Sequence, residues 1–398
     1  RAAGHTGKVI KNAGPVGHSG YSMTFRAPTV TRLPREGERR YYRHIAASGL
    51  SARLWRPWGA AINVQAGAGC GAVIVITGGA GFIGSCMQQA LHARGVDTVV
   101  VDWLGSAGKW RNLRHHAPVQ VVAPEALDAW LATRPDVSAV VHLGAISETT
   151  ATDGDLVWRT NVDLSCRLAQ WCAHEGVRFI YASSAATYGA ADKVEQFSDD
   201  PAGLDRLSPL NLYGWSKQAF DQIMQHRLAR GEWSGLSWAG LKFFNVYGPN
   251  EYHKGRMISV VKVKYDEARA GGPLTLFRSD VPGLADGAQA RDFIWVGDVV
   301  NVMLWLLDHT NVCGLFNCGT GIARTYADLA HAVCDAAGVA PRIEFIDMPQ
   351  SLRGQYQSFT CADMRRLRAA GYSHPFTTLE DGVRRYVHDY LATPDPYL

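Results

Sequence analysis

A tyrosine and a lysine lie four positions apart in the segment Tyr213-Gly-Trp-Ser-Lys217. Residues at this spacing share one face of a helix, so the Lys217 ammonium would lie beside the Tyr213 phenol. A neighbouring positive charge lowers the pKa of a phenol, and this makes tyrosine a usable acid or base near neutral pH. The alternative is an ordinary surface tyrosine and lysine. The earlier Ser183-Ser184 pair favours chemistry, because Ser184 could hydrogen-bond a reacting oxygen of a substrate.

A glycine-rich turn, Gly78-Gly-Ala-Gly81-Phe-Ile-Gly84, follows the β-branched run Val73–Thr77. Gly78 permits a tight turn, Gly81 lets the backbone approach a pyrophosphate, and Gly84 lets a helix pack on a strand. The helix that follows offers unpaired N–H groups and the positive end of its dipole to phosphates. The alternative is a glycine turn without a ligand. The strand before it and the helix after it are the context that a dinucleotide site requires.

Two residues after the next strand point to different dinucleotides. Asp102 ends a run of valines, where an acid bonds a ribose 2′-hydroxyl and favours NAD. Lys109, seven residues on, could instead pair with the 2′-phosphate of NADP. The residues alone leave the choice open.

Buried strand patterns alternate with helical patterns through this half of the chain. Strands are predicted at 73–77, 98–102, 139–143 and 178–182, with a helix at about 155–175. This alternation predicts a doubly wound parallel α/β sheet, in which ligands bind beyond the carboxyl ends of the strands. The segments 144–147 and 183–187 lie at two of those ends.

Charge is divided unevenly along the chain. Residues 1–72 hold 11 lysines and arginines and two acids, whereas the rest holds 29 basic and 34 acidic residues. The basic part is a leader without sustained periodicity, predicted to lie outside the enzyme or to be disordered. The slightly acidic body gives no reason to expect a nucleic-acid partner. No apolar run reaches the length of about 20 residues that a membrane span needs, so a membrane partner is not expected and a cytoplasmic location is predicted.

The eight cysteines are scattered, without a CxxC pair or a Cys/His cluster of zinc spacing. We therefore expect a reducing compartment, no disulfides and no metal.

Further motifs resemble a known superfamily. The GxxGxxG spacing and the segments 243–249, 291–298 and 316–321 are similar to those of the extended short-chain dehydrogenase/reductases. The segments Ser183-Ser-Ala-Ala-Thr-Tyr-Gly189 and Glu251-Tyr-His-Lys-Gly255 are more specific, as are 352–360 and 367–372. Together they resemble the ADP-L-glycero-D-manno-heptose 6-epimerases over about residues 73–391.

This resemblance implies a Rossmann fold with a smaller α/β substrate-binding domain. Residues 73–242 would be mainly the NADP-binding domain. Residues 243–391 would be mainly substrate-binding segments, part of which return to the first domain, and 392–398 would form a tail. A homo-oligomer is implied, with a pentamer among the candidates.

The resemblance also implies roles for individual residues. The catalytic set would be Ser184, Tyr213, Lys217 and Lys254, although Lys254 could instead bind phosphate. The cofactor, NADP with NAD as the alternative, would contact Gly78, Gly81, Phe82, Ile83, Gly84, Asp102, Trp103, Lys109, Leu143, Gly144, Ala145, Ile146, Ser147, Asn161, Lys217, Val246 and Lys254. The ADP-heptose substrate would contact Asn245, Arg256, Phe277, Arg278, Ser279, Asp280, Arg291 and Tyr356.

The implied reaction is epimerisation at C6 of the heptose through a transient ketone. One rival is another sugar-nucleotide epimerase or dehydratase of the superfamily. A dehydratase would usually carry an acid within 185–187, where this chain has Ala-Ala-Thr. The other rival is a dinucleotide-sensing scaffold without activity, which the intact Ser184, Tyr213 and Lys217 disfavour.

Overall fold

The computed structural model describes residues 72–133, 135–350 and 357–398. The predicted leader, apart from its last residue, and Tyr356 lie outside the described residues. The strands of the described part are β1 Val73–Thr77, β2 Thr98–Val101, β3 Gln120–Val122, β4 Val137–His142, β5 Arg178–Ser184, β6 Trp238–Phe243, β7 Asn245–Tyr247, β8 Leu274–Phe277, β9 Ala290–Arg291, β10 Phe293–Trp295, β11 Gly314–Cys318, β12 Arg324–Thr325 and β13 Ile343–Ile346.

The α-helices of the described part connect these strands. They are α1 Phe82–Ala93, α2 Leu127–Ala132, α3 Gly154–Trp158, α4 Leu164–Glu175, α5 Leu212–Ala229, α6 Val260–Arg269, α7 Val296–Asp308, α8 Tyr326–Ala337, α9 Arg365–Ala369 and α10 Leu379–Tyr386. A π-helical stretch, Arg159–Asp163, joins α3 to α4, so the single helix predicted at about 155–175 contains a wider turn.

Seven parallel strands form the main sheet, in the order β11-β6-β5-β4-β1-β2-β3. β1 pairs with β2 on one side and with β4 on the other, so Val75 lies between Val99 and Val140. The chain therefore reverses its winding direction beside β1, and a crevice opens at the carboxyl ends of β1 and β4. The prediction of a doubly wound parallel α/β sheet is confirmed.

The sheet strands are apolar because helices cover both of their faces. Val75, Val140 and Phe179 are fully buried in one cluster, in which α4 contributes Leu168 and α5 contributes Phe220. Fully covered parallel strands leave little room for polar side chains, which is why the β-branched runs were recognisable in the sequence.

A smaller group of elements follows β6. β8 pairs in parallel with β13, and their side chains pack with α6 and α8 around Leu276, Ala330 and Cys334. Two short pairs form among the other segments that follow β6, β7 with β10 and β9 with β12, while β11 pairs with β6 of the main sheet. The last third of the chain therefore contributes to both parts.

One buried carboxylate ties three of these later segments together. Asp292 is fully buried and accepts hydrogen bonds from the Thr320 backbone at 2.7 Å, the Thr320 hydroxyl at 2.7 Å, the Gly321 backbone at 2.9 Å and the Ala362 backbone at 3.0 Å. It joins the segment between β9 and β10 to the turn after β11 and to the chain near residue 362.

We expect Asp292→Ala to destabilise the protein on the order of 3 kcal/mol, because four donors, among them the buried Ala362 N–H, lose the carboxylate that accepts from them. The free energy of unfolding from urea titration measures this loss. Asp335→Ala, at an exposed position on α8, is the matched control and should change little. Equal unfolding midpoints for the two variants would contradict the assigned role of Asp292.

Candidate active site

The turn after β1 is shaped by backbone contacts that only glycine allows. Gly78 has φ +67°, and a Cβ there would lie 2.7 Å from the Gly144 nitrogen at the end of β4. A Cβ on Gly84 would lie 2.2 Å from the Gly78 carbonyl oxygen. Gly81, which precedes α1, supplies no side-chain cap. The first residues of this 12-residue helix, Phe82 to Gly84, line the crevice, and N–H groups without a side-chain cap suit the pyrophosphate of a dinucleotide.

Asp102 and Lys109 contact each other. The buried Asp102 carboxylate accepts from the Ala80 backbone at 3.0 Å through one oxygen and from the Lys109 ammonium at 2.5 Å through the other. Asp102 and Lys109, which taken singly indicate different dinucleotides, thus form one ion pair on the same side of the crevice. Trp103, which is 52% exposed, donates its indole N–H to Glu125 at 2.7 Å beside them.

The loop after β4 is held by Asn161, which lies in the π-helical turn. Its side-chain oxygen accepts from the Ile146 backbone at 2.8 Å, and its nitrogen donates to the Ile146 carbonyl at 2.9 Å and to Ser216 at 3.0 Å. Asn161 therefore supports the 143–147 loop from behind and joins it to α5. This explains why the wider turn occurs here: it directs a buried amide at the loop.

Tyr213 and Lys217 lie on α5, against the end of β5. Lys217 is buried and donates to the Ala182 carbonyl at 2.9 Å, and burial lowers the pKa of Lys217 to about 8. Burial raises the pKa of Tyr213, whereas its hydrogen bond with Ser184 acts in the opposite direction. The four-residue spacing by itself predicts that Lys217 lowers the pKa of the phenol. In the structure desolvation outweighs other influences on Tyr213, and the lysine is bonded to a carbonyl.

A buried polar network under this set was not predicted. Asp221, one turn beyond Lys217, accepts from Tyr181 at 2.9 Å, Ser183 at 2.7 Å and Lys242 at 2.7 Å. Neither Asp221 nor Lys242 is exposed to solvent. The spacing of Asp221 from Lys217 was visible in the sequence, but its partners come from two strands that only the fold brings together.

Lys254 approaches the glycine turn from the other side. Its Nζ lies 5.2 Å from the centre of the Phe82 ring, and Phe82 begins α1. Burial lowers the pKa of Lys254, while nearby Glu251 opposes this shift. The neighbouring His253 is bonded to Asn112 at 3.2 Å, and burial with the charges of Lys109 and Lys254 lowers the pKa of His253 to about 4.

These residues surround one cavity of about 590 Å³. The predicted residues on its wall are Gly78, Gly81, Phe82, Ile83, Gly84, Asp102, Trp103, Lys109, Leu143, Gly144, Ala145, Ile146, Ser147, Ser184, Tyr213, Lys217, Asn245, Val246 and Lys254. His253, Tyr326 and Gln357 also line it and were not predicted. His253 stands inside the Glu251–Gly255 motif, which was the available signal for it.

Other predicted substrate residues do not line this cavity. Arg291 lies behind its wall, donating to the Ala290 carbonyl at 2.9 Å and to the Gln357 carbonyl, with its guanidinium 5.6 Å from the Tyr326 ring centre. Arg256 is exposed in a short 3₁₀ helix. Arg278 donates to the Phe345 carbonyl at 3.0 Å, at the end of β8. Phe277, Ser279 and Asp280 lie with Arg278, away from the cavity wall, so the substrate contacts of this group stay predictions.

No group of three or more histidines, cysteines or acids in the described residues is arranged to hold a metal ion. No helix within the described ranges is long and apolar enough to cross a membrane.

Comparisons with known proteins agree with this geometry. Residues 74–319 match the model of the NAD dependent epimerase/dehydratase family. The chain is 52% identical over 328 residues to the ADP-L-glycero-D-manno-heptose-6-epimerase of Nitratidesulfovibrio vulgaris, a match that covers 81% of this chain and 99% of the relative.

Two solved structures have the same fold. The Helicobacter pylori ADP-L-glycero-D-manno-heptose-6-epimerase superposes with a TM-score of 0.65 at 27% identity, over 80% of this chain and 95% of that one. The Thermus thermophilus UDP-glucose 4-epimerase in complex with NAD superposes with a TM-score of 0.61 at 28% identity, over 78% and 96%.

The chain therefore belongs to the NAD dependent epimerase/dehydratase family, whose members use a nicotinamide dinucleotide. Within that family, its curated relatives at 40% to 52% identity are ADP-L-glycero-D-manno-heptose-6-epimerases.

Proposed function

We propose that this protein interconverts ADP-D-glycero-D-manno-heptose and ADP-L-glycero-D-manno-heptose by inverting C6. The observation that carries the proposal is a single cavity that joins the glycine turn, the Ser184 and Tyr213 pair and the Lys254 loop. The names of the relatives support the substrate. We also propose that residues 243–391 provide most contacts to the ADP-sugar.

The chemistry of the substrate requires oxidation. C6 of the heptose has no neighbouring carbonyl, so its proton is not acidic and direct deprotonation cannot invert the centre. Conversion of C6 to a ketone, rotation of that ketone in the cavity and re-reduction from the opposite face would invert it. When bound, the nicotinamide dinucleotide supplies this reversible two-electron oxidation.

The residues of the chain manage the proton and the geometry. Tyr213 would accept the hydroxyl proton of one epimer, with Ser184 bonded to the same oxygen. The two epimers present their hydroxyl groups differently, so a second acid/base group is useful, and Lys254 on the far wall would take that role. Lys217, fixed to the Ala182 carbonyl, would hold its positive charge behind Tyr213.

NADP is the proposed cofactor. Because Lys109 already binds the Asp102 carboxylate at 2.5 Å, that acid is less available to a ribose 2′-hydroxyl. The Lys109 ammonium at the same position could bind a 2′-phosphate. A homo-oligomeric assembly stays a prediction from the resemblance.

Epimerisation is tested by incubating the protein with ADP-D-glycero-D-manno-heptose and separating the two epimers by chromatography. Tyr213→Phe should lower the rate by roughly 10²–10⁴-fold, because it removes the proton acceptor and keeps the ring. Dinucleotide binding should persist. Tyr397→Phe, which removes a hydroxyl from the tail, is the control. Near-normal turnover by Tyr213→Phe would refute its role.

Lys254→Met separates the two interpretations of this lysine. As an acid/base group, its loss should lower kcat by roughly 10²–10⁴-fold with little change in KM. As a phosphate-binding residue, its loss should raise KM and leave kcat intact, the signature of lost uniform binding. We expect the first result, with exposed Lys193→Met as the control.

Lys109→Met tests the cofactor. The Kd for NADP should rise roughly tenfold or more, because a charge-assisted hydrogen bond is lost. The Kd for NAD should fall or stay the same, since Asp102 becomes free to accept from the ribose 2′-hydroxyl. Calorimetric titration with both dinucleotides measures the two constants. An equal loss for both would contradict recognition of the 2′-phosphate by Lys109.

A further inference from the structure

Lys254 lies in the middle of a loop that begins at Glu251 and ends at Ser259. The Glu251 carboxylate accepts from the Ser259 backbone at 2.7 Å through one oxygen and from the Ser259 hydroxyl at 2.5 Å through the other. The Lys254 backbone N–H donates to the Glu251 carbonyl at 3.0 Å. The first residue of the loop is thus bonded both to its middle and to its last residue.

This closure is anchored on two helices. Ser259 is the N-cap residue of α6, where its hydroxyl accepts from the Lys262 backbone. The Tyr386 hydroxyl on α10 donates to Glu251 at 2.9 Å. Glu251 itself is fully buried. Opening the loop would leave a buried carboxylate without its donors, which is costly, so the loop has one favoured shape.

We propose that Glu251 is a positioning residue of this site: its buried carboxylate closes the 251–259 loop and so fixes the Lys254 ammonium on the cavity wall, next to Phe82. The proposal rests on the function proposed above for Lys254. It explains a carboxylate that the mechanism does not use and that does not line the cavity.

The groups around Glu251 and Lys254 indicate that the Glu251 charge also acts directly on the Lys254 ammonium. The titratable groups that face Glu251 and Lys254 are Cys86 from α1, Tyr252 and His253 from the loop, Tyr386 from α10 and the Asp102–Lys109 pair. Burial raises the pKa of Cys86, Tyr252 and Tyr386, and the pKa of His253 is lowered to about 4, so these four are uncharged at neutral pH. Burial raises the pKa of Glu251 too, whereas its hydrogen bonds from Ser259 and Tyr386 and the Lys254 charge oppose that shift and favour the anion. In this form Glu251 is the charge that opposes the effect of burial on Lys254.

The pKa of Lys254 depends on the Glu251 charge. Burial lowers the pKa of Lys254, and the Glu251 charge opposes that shift. Without the charge, burial acts alone and the pKa of Lys254 falls further. The neutral amine, which is the form that accepts a proton, would then be present at lower pH.

Glu251→Gln tests this with little change of shape. We measure kcat against pH in both directions of epimerisation. In the direction in which Lys254 accepts the proton, the ascending limb should move to lower pH by about one unit. The kcat maximum should also fall. Ser259→Ala keeps the Glu251 carboxylate and removes the two hydrogen bonds of the Ser259 hydroxyl, one to Glu251 and one from the Lys262 backbone at the start of α6. We expect kcat to fall several-fold with the limb in place.

Asp298→Asn is the matched control, because Asp298 is another buried carboxylate that accepts from one backbone N–H and one hydroxyl, both of Thr377, at 2.7 Å and 3.1 Å. Asp298→Asn should lower the stability of the protein and leave both limbs of the kcat–pH profile in place. A Glu251→Gln variant with the parent pH profile in both directions overturns the proposal. If that variant does not fold, unchanged kcat in Ser259→Ala overturns it instead.

A second readout separates this proposal from the proposed function. The pH dependence of Lys254 acetylation by acetic anhydride is measured by mass spectrometry in the ligand-free protein. The midpoint should be lower in Glu251→Gln than in the parent, whatever the substrate. Failure of the parent to epimerise the ADP-heptose overturns the proposed function alone, whereas an unchanged midpoint overturns the role of Glu251 alone.

Discussion

The close approach of two backbones, at Gly78 and Gly144, is the constraint on which the site depends. A Cβ added at Gly78 would lie only 2.7 Å from the Gly144 nitrogen, so the turns after β1 and β4 can meet only if no side chain lies between them. Their contact places the start of α1 beside the 143–147 loop. The Tyr213 helix reaches the same crevice because β5 is the next strand of the sheet. One strand order therefore brings the glycine turn to the same crevice as Ser184, Tyr213 and Lys217.

Burial also shapes the site, since Lys217 and Lys254 are wholly or partly removed from water. Desolvation lowers the pKa of Lys217 and of Lys254, and in each case a carboxylate opposes the shift, Asp221 for the first and Glu251 for the second. The two carboxylates differ in the groups that bind them. Asp221 is neutralised by Lys242 at 2.7 Å, whereas Glu251 is held by hydroxyl and backbone donors. Asp221 therefore has a cation bonded to it, whereas the charge of Glu251 acts mainly on groups of its own loop, Lys254 among them.

Some expectations changed once the side chains were placed. A lysine four residues from a tyrosine was expected to lower the pKa of the phenol, yet burial raises the pKa of Tyr213 and Lys217 is bonded to a carbonyl. Asp102 and Lys109, taken singly, indicate different dinucleotides, and in the structure they pair with each other. In both cases the spacing along the chain was informative, but the direction of each side chain depended on neighbours from distant segments.

The sequence by itself determined the parallel sheet, the glycine turn and the Ser184, Tyr213 and Lys217 set. These features are local: buried strands require β-branched runs, a turn beside a second backbone requires glycine, and one helix face sets a four-residue spacing. Only the tertiary structure decided that Asp221 meets Lys242, that Asn161 supports the 143–147 loop, and that Glu251 closes on Ser259 and Tyr386. Hydrogen bonds between residues distant in sequence leave no periodic pattern along the chain, because each partner is chosen by the packing of whole elements.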